Sequence, residues 1–337
     1  MSEKTEKIKV SAILEPSLEF EHIPSVFNDG LASACQNGKY GFIDRTGKFA
    51  IGCVYNAVDS FRAGLACVKT DRKWSYIDKT GAVVIPGISE IAGWFSSGLA
   101  HVQQEGMHGF INHEGKFVIP CIYDGAGFFS EGLAPVGKHG KCGFINKNGD
   151  IVIPIEYDMI RFFSDGLAGV INDGKLGYMD KTGEVVIPCV YDEQGSDNFS
   201  GGIARVQKGD EIFYIDKTGK IVVRDSYEKS GVFRDGLAVV AKNGKCGFIN
   251  KTGEIVIGCI YDDASVFSGG LAGVVKDGKG GYIDKTGEVI VPFEYDYDTL
   301  TEYNDLKWLF VNPFRVNLAL ARKNNKWGIL EIEQGKS

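Results

Sequence analysis

The sequence lacks several features that assign a function directly. It has no run of about 18 apolar residues, the length that a membrane-spanning helix needs, and its first residues mix charges of both signs instead of forming a signal peptide. No two cysteines are spaced as C-x-x-C, and the 8 cysteines and 5 histidines show no zinc-ligand spacing. We therefore expect a cytoplasmic protein with free thiols and without a metal or cofactor.

An excess of basic residues is also missing. The chain of 337 residues carries a formal net charge of −7. A groove that binds nucleic acid needs a basic field to neutralise phosphates, and an anionic lipid surface attracts basic segments. The charge balance therefore predicts that neither nucleic acid nor a membrane is the partner.

Glycine and aromatic residues are abundant, with 45 Gly, 21 Phe and 14 Tyr, a composition typical of many strands joined by many turns. The tripeptide Gly-Leu-Ala, once replaced by Gly-Ile-Ala, recurs at intervals of 34 residues, with one interval of 36. Fixed spacing of this kind is the signature of a repeat protein. The tripeptide begins at Gly30, Gly64, Gly98, Gly132, Gly166, Gly202, Gly236 and Gly270.

A phenylalanine stands three residues before each of these glycines, from Phe27 to Phe267. Near the C-terminus Phe314 and Asn317 occupy the same two places, which gives nine unit starts. Asn is the best substitute for Gly where φ is positive. We therefore predict a left-handed turn at the glycine position.

Each unit predicts three short strands, with the sequences L-A-x-V, K-x-G-F-I-D and x-V-V-I-P, and a short fourth stretch that leads through Y-D to the next Phe. Loops of a few residues join them, so neighbours should pair antiparallel in a small β-meander. Consecutive apolar residues, as at Phe144-Ile145 and Val152-Ile153, predict burial on both faces between stacked units. The predicted fold class is all-β, built from tandem repeats.

The two ends of the sequence bear on how the repeats are arranged. Residues 318–333 hold only the first two strands of the ninth unit, and residues 8–30 resemble the strands that this unit lacks. We predict one repeat domain at residues 8–333, with tails at 1–7 and 334–337. A shared ninth unit favours a closed propeller-like ring, which has no long exposed edge, although an open superhelical solenoid would have similar ends.

The unit resembles the WG, or KWG, repeat family of bacterial proteins. The family signature is literal at Lys326-Trp327-Gly328, while its Trp place holds other residues elsewhere, such as Tyr40 and Cys142. The sequence that follows, G-F-I-D-K-T-G-x-x-V-I-P-x-x-Y-D, also matches, and the resemblance covers nearly the whole chain. It implies an all-β repeat protein that serves as an interaction or recognition module, without common catalytic residues.

The motif Asp-Lys-Thr-Gly recurs in the units and also begins the phosphorylated-aspartate motif of P-type ion pumps. Its first place holds Asp78 in one unit but Asn112, Asn146 and Asn250 in others, and an amide cannot serve as a carboxylate nucleophile. The Gly at the end of the motif never changes. We interpret the motif as a hairpin turn, in which Asp or Asn accepts hydrogen bonds from nearby N–H groups and Gly adopts a positive φ.

Cysteine and histidine residues follow the repeat rather than a catalytic arrangement. Ile and Phe replace one set of cysteines in other units, so we interpret that set as buried small hydrophobes. The histidines cluster in adjacent units without acidic residues at ligand spacing, so we interpret them as strand or surface residues rather than metal ligands. The two sets are Cys53, Cys121, Cys189 and Cys259, and His101, His108, His113 and His139.

The repeat breaks at two places, and function tends to reside where a repeat scaffold is irregular. An insertion near residues 293–313 adds 13 residues to the eighth unit and interleaves aromatic with acidic side chains, which suits a basic or amphipathic partner. It could equally cover the junction of the chain ends. A second break, at residues 191–202, is acidic and two residues longer than its counterparts. The candidate binding residues are Tyr295, Tyr297, Asp298, Tyr303 and Trp308.

These observations predict a non-enzymatic scaffold that binds a protein or peptide. One alternative is a glycan or small-ligand binder, in which arrayed Tyr and Trp side chains stack on sugars. A second alternative is an enzyme whose residues converge from several repeats, but no catalytic constellation stands out in the sequence.

Overall fold

The strands and turns that the repeat predicts are present in the structure, a computed structural model. Its regular structure consists of strands, and no helix occurs among the residues that it describes. No helix long and apolar enough to cross a membrane is found in these ranges either. The described residues are 9–18, 27–71, 73–296, 318–324 and 326–333.

The chain separates into two compact units. We call residues 54–225 the middle unit and residues 1–53 with 226–337 the terminal unit.

The middle unit contains four antiparallel sheets in which strands consecutive in sequence are neighbours. Three of the sheets have four strands; the fourth has seven because a single residue pair, Asp192 with Gln207, joins two repeats. The strands are Ala57–Val58, Ala66–Thr70, Lys73–Ile77 and Val83–Ser89; Ile91–Ser96, Leu99–Gln104, Met107–Ile111 and Phe117–Tyr123; Gly125–Ala126, Ala134–Lys138, Lys141–Ile145 and Ile151–Tyr157; and Met159–Ser164, Leu167–Asn172, Lys175–Met179, Val185–Asp192, Ile203–Lys208, Glu211–Asp216 and Ile221–Arg224.

The terminal unit contains two sheets of four strands and two of three. In one of these, Lys9–Leu18 pairs antiparallel with Lys326–Glu333, so strands from the two ends of the sequence share a sheet. Closure of the repeats into a ring stays a prediction. The strands are Ala32–Gln36, Lys39–Ile43 and Phe49–Tyr55, whose last two residues pass the unit boundary; Lys229–Ser230, Leu237–Lys242, Lys245–Asn250 and Ile255–Tyr261; Asp263–Ala264, Leu271–Lys276, Lys279–Asp284 and Val289–Asp296; and Lys9–Leu18, Leu318–Lys323 and Lys326–Glu333.

A four-stranded repeat consists of a lead-in strand followed by a first, second and third strand. The third strand continues through the Tyr of Y-D, as in Ile151–Tyr157. The stretch that follows is a lead-in strand, and it pairs with the first strand of the next repeat, as Gly125–Ala126 pairs with Ala134–Lys138. The predicted fourth stretch therefore opens a new sheet instead of completing the old one.

The Asp-Lys-Thr-Gly motif is a hairpin turn, as predicted. One carboxylate oxygen of Asp78, Oδ1, accepts hydrogen bonds from the Thr80 N–H at 2.9 Å and the Ala82 N–H at 3.1 Å, and Gly81 has φ +85. Asn112 Oδ1 accepts the equivalent bonds in the next repeat. An amide oxygen and a carboxylate oxygen serve this turn equally, because both are hydrogen-bond acceptors.

The predicted left-handed turn at Gly-Leu-Ala is also confirmed in the described repeats. Gly132 has φ +93, and Glu131 before it has φ +52. Two successive residues with positive φ form the type I′ turn that suits the twist of a tight hairpin. Asn317, at the same place in the ninth repeat, lies outside the described residues.

Successive repeats pack face to face through aromatic rings. The second-strand Phe144 of one repeat lies 4.7 Å from Phe163 of the next, centroid to centroid, and Phe110 lies 5.0 Å from Phe129 in the same way. Phe144 and its neighbour Ile145 point to opposite faces, and both have no solvent exposure. The prediction of stacked sheets buried on both faces is therefore confirmed for the second strand.

The same prediction was wrong for the beginning of the third strand. Ile153 is fully buried, but Val152 is 39% exposed and Ile151 is 58% exposed. The third strand forms one edge of its sheet, so its first residues extend past the neighbouring strand and meet solvent. Pro154, exposed on this strand, lacks the N–H that would pair with a further strand.

The glycine of the second strand is required by a close approach of the third strand. A Cβ on Gly143 would lie 2.6 Å from the carbonyl oxygens of both Ile153 and Pro154. In the second repeat Ser75 takes this place, and there the third strand carries Gly87, whose N–H donates to Ser75 Oγ at 2.8 Å. A glycine therefore occupies one of the two facing positions in both repeats: Gly143 on the second strand in one, and Gly87 on the third strand in the other.

We predict that Gly143→Ala lowers the free energy of unfolding by at least about 2 kcal/mol, because the added methyl group forces two strands apart. Gly125→Ala is the matched control, since a Cβ there meets nothing within 4 Å, and it should change stability by less than about 1 kcal/mol. Urea denaturation of both variants measures the difference. Equal stability of the two variants would contradict the close approach.

Candidate binding site

The residue just before the conserved Phe of each repeat varies in character. Three consecutive repeats of the middle unit carry a large aromatic residue there, whereas the other described repeats carry a small, polar or aliphatic one. Because adjacent repeats stack, side chains at this place become neighbours. The residues at this place are Ser60, Trp94, Phe128, Phe162, Asn198, Val232 and Val266.

The three aromatic side chains, Trp94, Phe128 and Phe162, form a stack that we call the aromatic row. The ring centroids of Trp94 and Phe128 are 5.2 Å apart, and those of Phe128 and Phe162 are 3.9 Å apart with an interplanar angle of 12°. All three side chains are half-buried. Gly127 makes room for the row, because a Cβ there would lie 2.6 Å from the ring of Phe162.

Arg62 covers the free end of the aromatic row. Its guanidinium carbon lies 4.3 Å from the centroid of the Trp94 ring, a cation–π arrangement. At the same place in the next two repeats, Ser96 and Ser130 donate hydrogen bonds to the carbonyl of the following repeat's Phe, at 2.6 and 2.7 Å. The second repeat therefore has an arginine where its neighbours form a bond between repeats.

The arrangement of the row determines what it can contact. Phe128 contacts both other rings of the row, stacked on Phe162 and tilted by 39° to Trp94, and Arg62 lies over the Trp94 ring. From these contacts we infer that the half-buried rings present mainly their edges, which carry the positive part of the aromatic quadrupole. Ring edges suit aliphatic groups and carbonyl oxygens, so the row matches a peptide better than the flat face of a sugar.

A cluster of polar side chains in the fifth and sixth repeats surrounds the irregular segment at residues 191–202. Arg161 donates to the carbonyls of Ser196 and Glu193 at 2.7 and 2.8 Å, and Tyr178 donates to the carbonyl of Asp197. Burial raises the pKa of the Asp197 carboxyl, while the nearby Arg161 and Arg205 oppose the rise. These bonds hold the longer loop in place, which explains how the repeat accommodates the extra residues.

Two of the clustered histidines form a close pair in the middle unit. The Nε2 of His101 and the Nδ1 of His108 are 2.5 Å apart, and the rings are nearly parallel. Burial is the main cause that lowers the pKa of His101, to about 4, and the neighbouring His108 adds to it. Both rings are therefore neutral at pH 7. His113 and His139, by contrast, are exposed.

Hydrogen bonds determine where the protons of this pair lie. The Gln103 amide nitrogen donates to the Gly106 carbonyl and lies 3.1 Å from His108 Nε2, so that ring nitrogen accepts. His108 then carries its proton on Nδ1 and donates it to His101 Nε2. Both facing nitrogens are used by this bond, and no group of three metal-ligating side chains occurs in the described part of the chain.

The four cysteines that lie in the third strands are free thiols, and they are half-buried rather than fully buried. The Cys189 backbone approaches the second-strand Gly177, and the Cys189 thiol donates to the carbonyl of Val170 at 3.6 Å. Burial raises the pKa of the Cys189 thiol, which keeps it protonated and unreactive at neutral pH.

The predicted binding residues of the insertion are only partly within the structure. Tyr295 lies half-buried on the strand Val289–Asp296, opposite Gly280. The other four, Tyr297, Asp298, Tyr303 and Trp308, lie outside the described residues, and their role stays a prediction.

Reasoning from the sequence missed the aromatic row. Its signal is weak but present: the variable place before the conserved Phe is aromatic in three consecutive repeats and in no other described repeat. Arg62 has a similar signal, because Ser is common at its place.

The fold and the site together define a class: an all-β protein of stacked meander repeats, with side-chain variation at one place in the repeat. The chain belongs to the family described as the WG containing repeat. Its model matches nine times, at residues 17–40, 40–74, 74–107, 109–142, 143–175, 177–211, 212–246, 247–279 and 281–327. The resemblance inferred from Lys326-Trp327-Gly328 is therefore confirmed. No curated protein sequence matches the chain.

Several solved structures are similar in fold. A crystal structure of a eukaryotic initiation factor aligns with a TM-score of 0.56 at 11% identity, over 81% of this chain and 89% of that chain. The dihydro-heme d1 dehydrogenase NirN in complex with DHE aligns with a TM-score of 0.47 at 11% identity, over 85% and 78%. The WD40 domain of SCAP from fission yeast aligns with a TM-score of 0.40 at 10% identity, over 98% of both chains. The similarity to the initiation factor concerns the fold alone, because the sequence identity is 11%. The TM-scores of the other two structures are below 0.5, so these structures carry no argument about this chain.

The histidine pair predicts a pH dependence of stability. The unfolded chain binds a proton at His101 below pH 6.5, whereas the folded chain keeps the ring neutral down to about pH 4. Stability should therefore fall as the pH falls from 6.5 towards 4, by up to about 1.4 kcal/mol per pH unit from this group. Urea denaturation should show a smaller fall for His101→Gln and an unchanged fall for the control His139→Gln. An equal fall in all three proteins would contradict the buried neutral pair.

Proposed function

We propose that this chain is a non-enzymatic scaffold that binds an extended segment of a partner protein in the cytoplasm, and that the aromatic row is the docking surface. The observation that carries the proposal is the stack of Trp94, Phe128 and Phe162 across three repeats, with Arg62 at its end. Aromatic and arginine side chains are the residues most enriched where binding energy concentrates in protein interfaces.

The fold does not need large aromatic residues at this place. Other repeats of the same chain stack with Ser60, Asn198, Val232 or Val266 there. Packing between repeats is supplied instead by the conserved Phe one residue later, which is at most 6% exposed in every described repeat. Half-buried rings at a place where other repeats manage without an aromatic residue support a role in binding.

The same geometry argues against the glycan alternative at this site. A sugar stacks on the face of an aromatic ring, and within the row Phe128 and Phe162 are stacked face to face on each other while Trp94 also contacts Phe128. A peptide can instead lay aliphatic side chains and backbone carbonyls along the row of ring edges. An extended segment also matches the direction of the row, which crosses three repeats.

A library of displayed random peptides of about 12 residues tests the proposal directly. We expect the wild-type chain to select peptides, and Phe128→Asn, which introduces the residue of Asn198, to weaken their binding by about tenfold or more. Phe162→Val, the residue of Val232, is a milder second variant. Val190→Asn is the matched control, because it removes a 40% exposed apolar side chain outside the row. Thermal unfolding checks that each variant folds.

Two results would contradict the proposal. One is that the wild-type chain selects no peptides, and the other is that selected peptides bind Phe128→Asn and wild type equally. Trp308→Ala belongs in the same series, because loss of binding in that variant alone would move the site to the insertion. A glycan array run in parallel tests the alternative that the chain binds glycans.

A further inference from the structure

We propose that the guanidinium of Arg62 and the backbone N–H of Gly98 together bind a carboxylate, and that the partner segment is therefore an acidic peptide. This inference rests on the proposed function, since it names the chemistry of the segment that lies on the aromatic row. It depends on two departures from the repeat at adjacent residues, Arg62 and Ala63.

The first departure is an arginine without an acceptor. Arg62 is half-buried, and its Nε is buried with no hydrogen-bond partner. Within the described part of the chain its side chain lies on the Trp94 ring, and no carboxylate pairs with it. Arg161, by contrast, donates to two backbone carbonyls. A guanidinium held on an aromatic ring is oriented for bidentate binding of a carboxylate.

The second departure is a missing acid. Four repeats have an Asp or Glu as the first residue of the type I′ turn, and in the fourth, fifth and seventh repeats its carboxylate accepts a hydrogen bond from the turn glycine of the next repeat. The second repeat has Ala63 at this place, and the Gly98 N–H finds no acceptor among the described residues. The three bonds are Glu131 to Gly166 at 3.1 Å, Asp165 to Gly202 at 2.7 Å and Asp235 to Gly270 at 2.9 Å.

Both departures concern the same turn. In the fourth repeat Ser130 reaches the Phe163 carbonyl while Glu131 reaches the Gly166 N–H, so adjacent side chains contact opposite ends of one turn in the next repeat. By the same geometry, Arg62 and the space left by Ala63 face the turn that runs from Phe95 to Gly98. A carboxylate from outside that fills this space would accept from the Gly98 N–H beside Arg62.

The combination is specific to the second repeat. Ser97, Gly201 and Gly269 also lack a carboxylate, but each follows a serine. Arg234 occupies the place of Arg62 in the seventh repeat, but there Asp235 supplies the carboxylate from within the chain. Among the described repeats, the second is therefore the one in which an arginine at this place is not followed by an acidic residue. This arginine lies next to the aromatic row.

The ligand group is a carboxylate because carboxylates fill the equivalent space in other repeats at hydrogen-bond distance. The aromatic row continues away from Arg62 through Trp94, Phe128 and Phe162. We therefore assign the partner as a peptide with an Asp or Glu at one end of an aliphatic stretch, which places the acid on Arg62 and the aliphatic groups on the ring edges.

The test uses peptides that the full chain selects from the displayed library. Those peptides should share an acidic residue at a fixed position, and replacing Glu by Gln there should weaken binding by about tenfold or more. Arg62→Gln should reduce the ratio of the Kd of the Gln peptide to the Kd of the Glu peptide, the Glu-to-Gln ratio, to near one. Ala63→Asp, which restores the acid of the other repeats, should do the same by occupying the space from within. Arg234→Gln is the matched control and should leave the ratio unchanged.

The outcomes separate this inference from the proposed function. If peptides bind the aromatic row but show no acidic preference, or if Arg62→Gln and Ala63→Asp keep the Glu-to-Gln ratio of wild type, the carboxylate site is wrong while the docking surface stands. If inorganic phosphate at millimolar concentration displaces the peptide as well as a free Glu-containing peptide does, the site binds anions in general and the assignment to a carboxylate fails. If no peptide is selected, both proposals fail.

Discussion

The contact between the second-strand aromatic ring of one repeat and the conserved Phe of the next is the interaction on which the structure depends. A meander of three or four short strands exposes both faces and is not stable alone. The ring pairs, such as Phe144 with Phe163 at 4.7 Å, bury those faces between neighbours. Regular spacing follows, because each repeat must present one ring forward and one ring backward at a fixed separation.

Because these ring pairs hold the repeats together, one neighbouring place in the repeat is free to vary. Since the conserved Phe supplies the packing, the residue before it can be Val, Ser, Asn or aromatic. In the middle unit three aromatic choices in succession produce a stacked row, and Arg62 covers its end. A stacked aromatic surface can thus arise on this scaffold by substitution at one repeated position, without a change in the strands and without an insertion.

Local chemistry explains which features could be predicted from the sequence. Asp78 and Gly81 specify their turn within five residues, and short apolar runs between turns predict the strands, so both follow from short stretches. The exposure of Val152 was not foreseen, because it depends on the strand lying at a sheet edge. The stack of Phe128 on Phe162 was not foreseen either, since residues 34 apart become neighbours only through the packing of repeats. Most of the candidate residues of the insertion, from Tyr297 onward, lie outside the described residues and stay predictions.

A double-mutant cycle on Phe144 and Phe163 tests the central claim most directly. If the aromatic contact joins the repeats, Phe163→Ala should cost about 3–5 kcal/mol, since Phe163 is 2% exposed. The interaction energy between Phe144→Leu and Phe163→Leu, measured by urea denaturation, should then be about 1 kcal/mol. Additive effects of the two leucine variants, together with a small cost for Phe163→Ala, would show that the repeats are held together by something else.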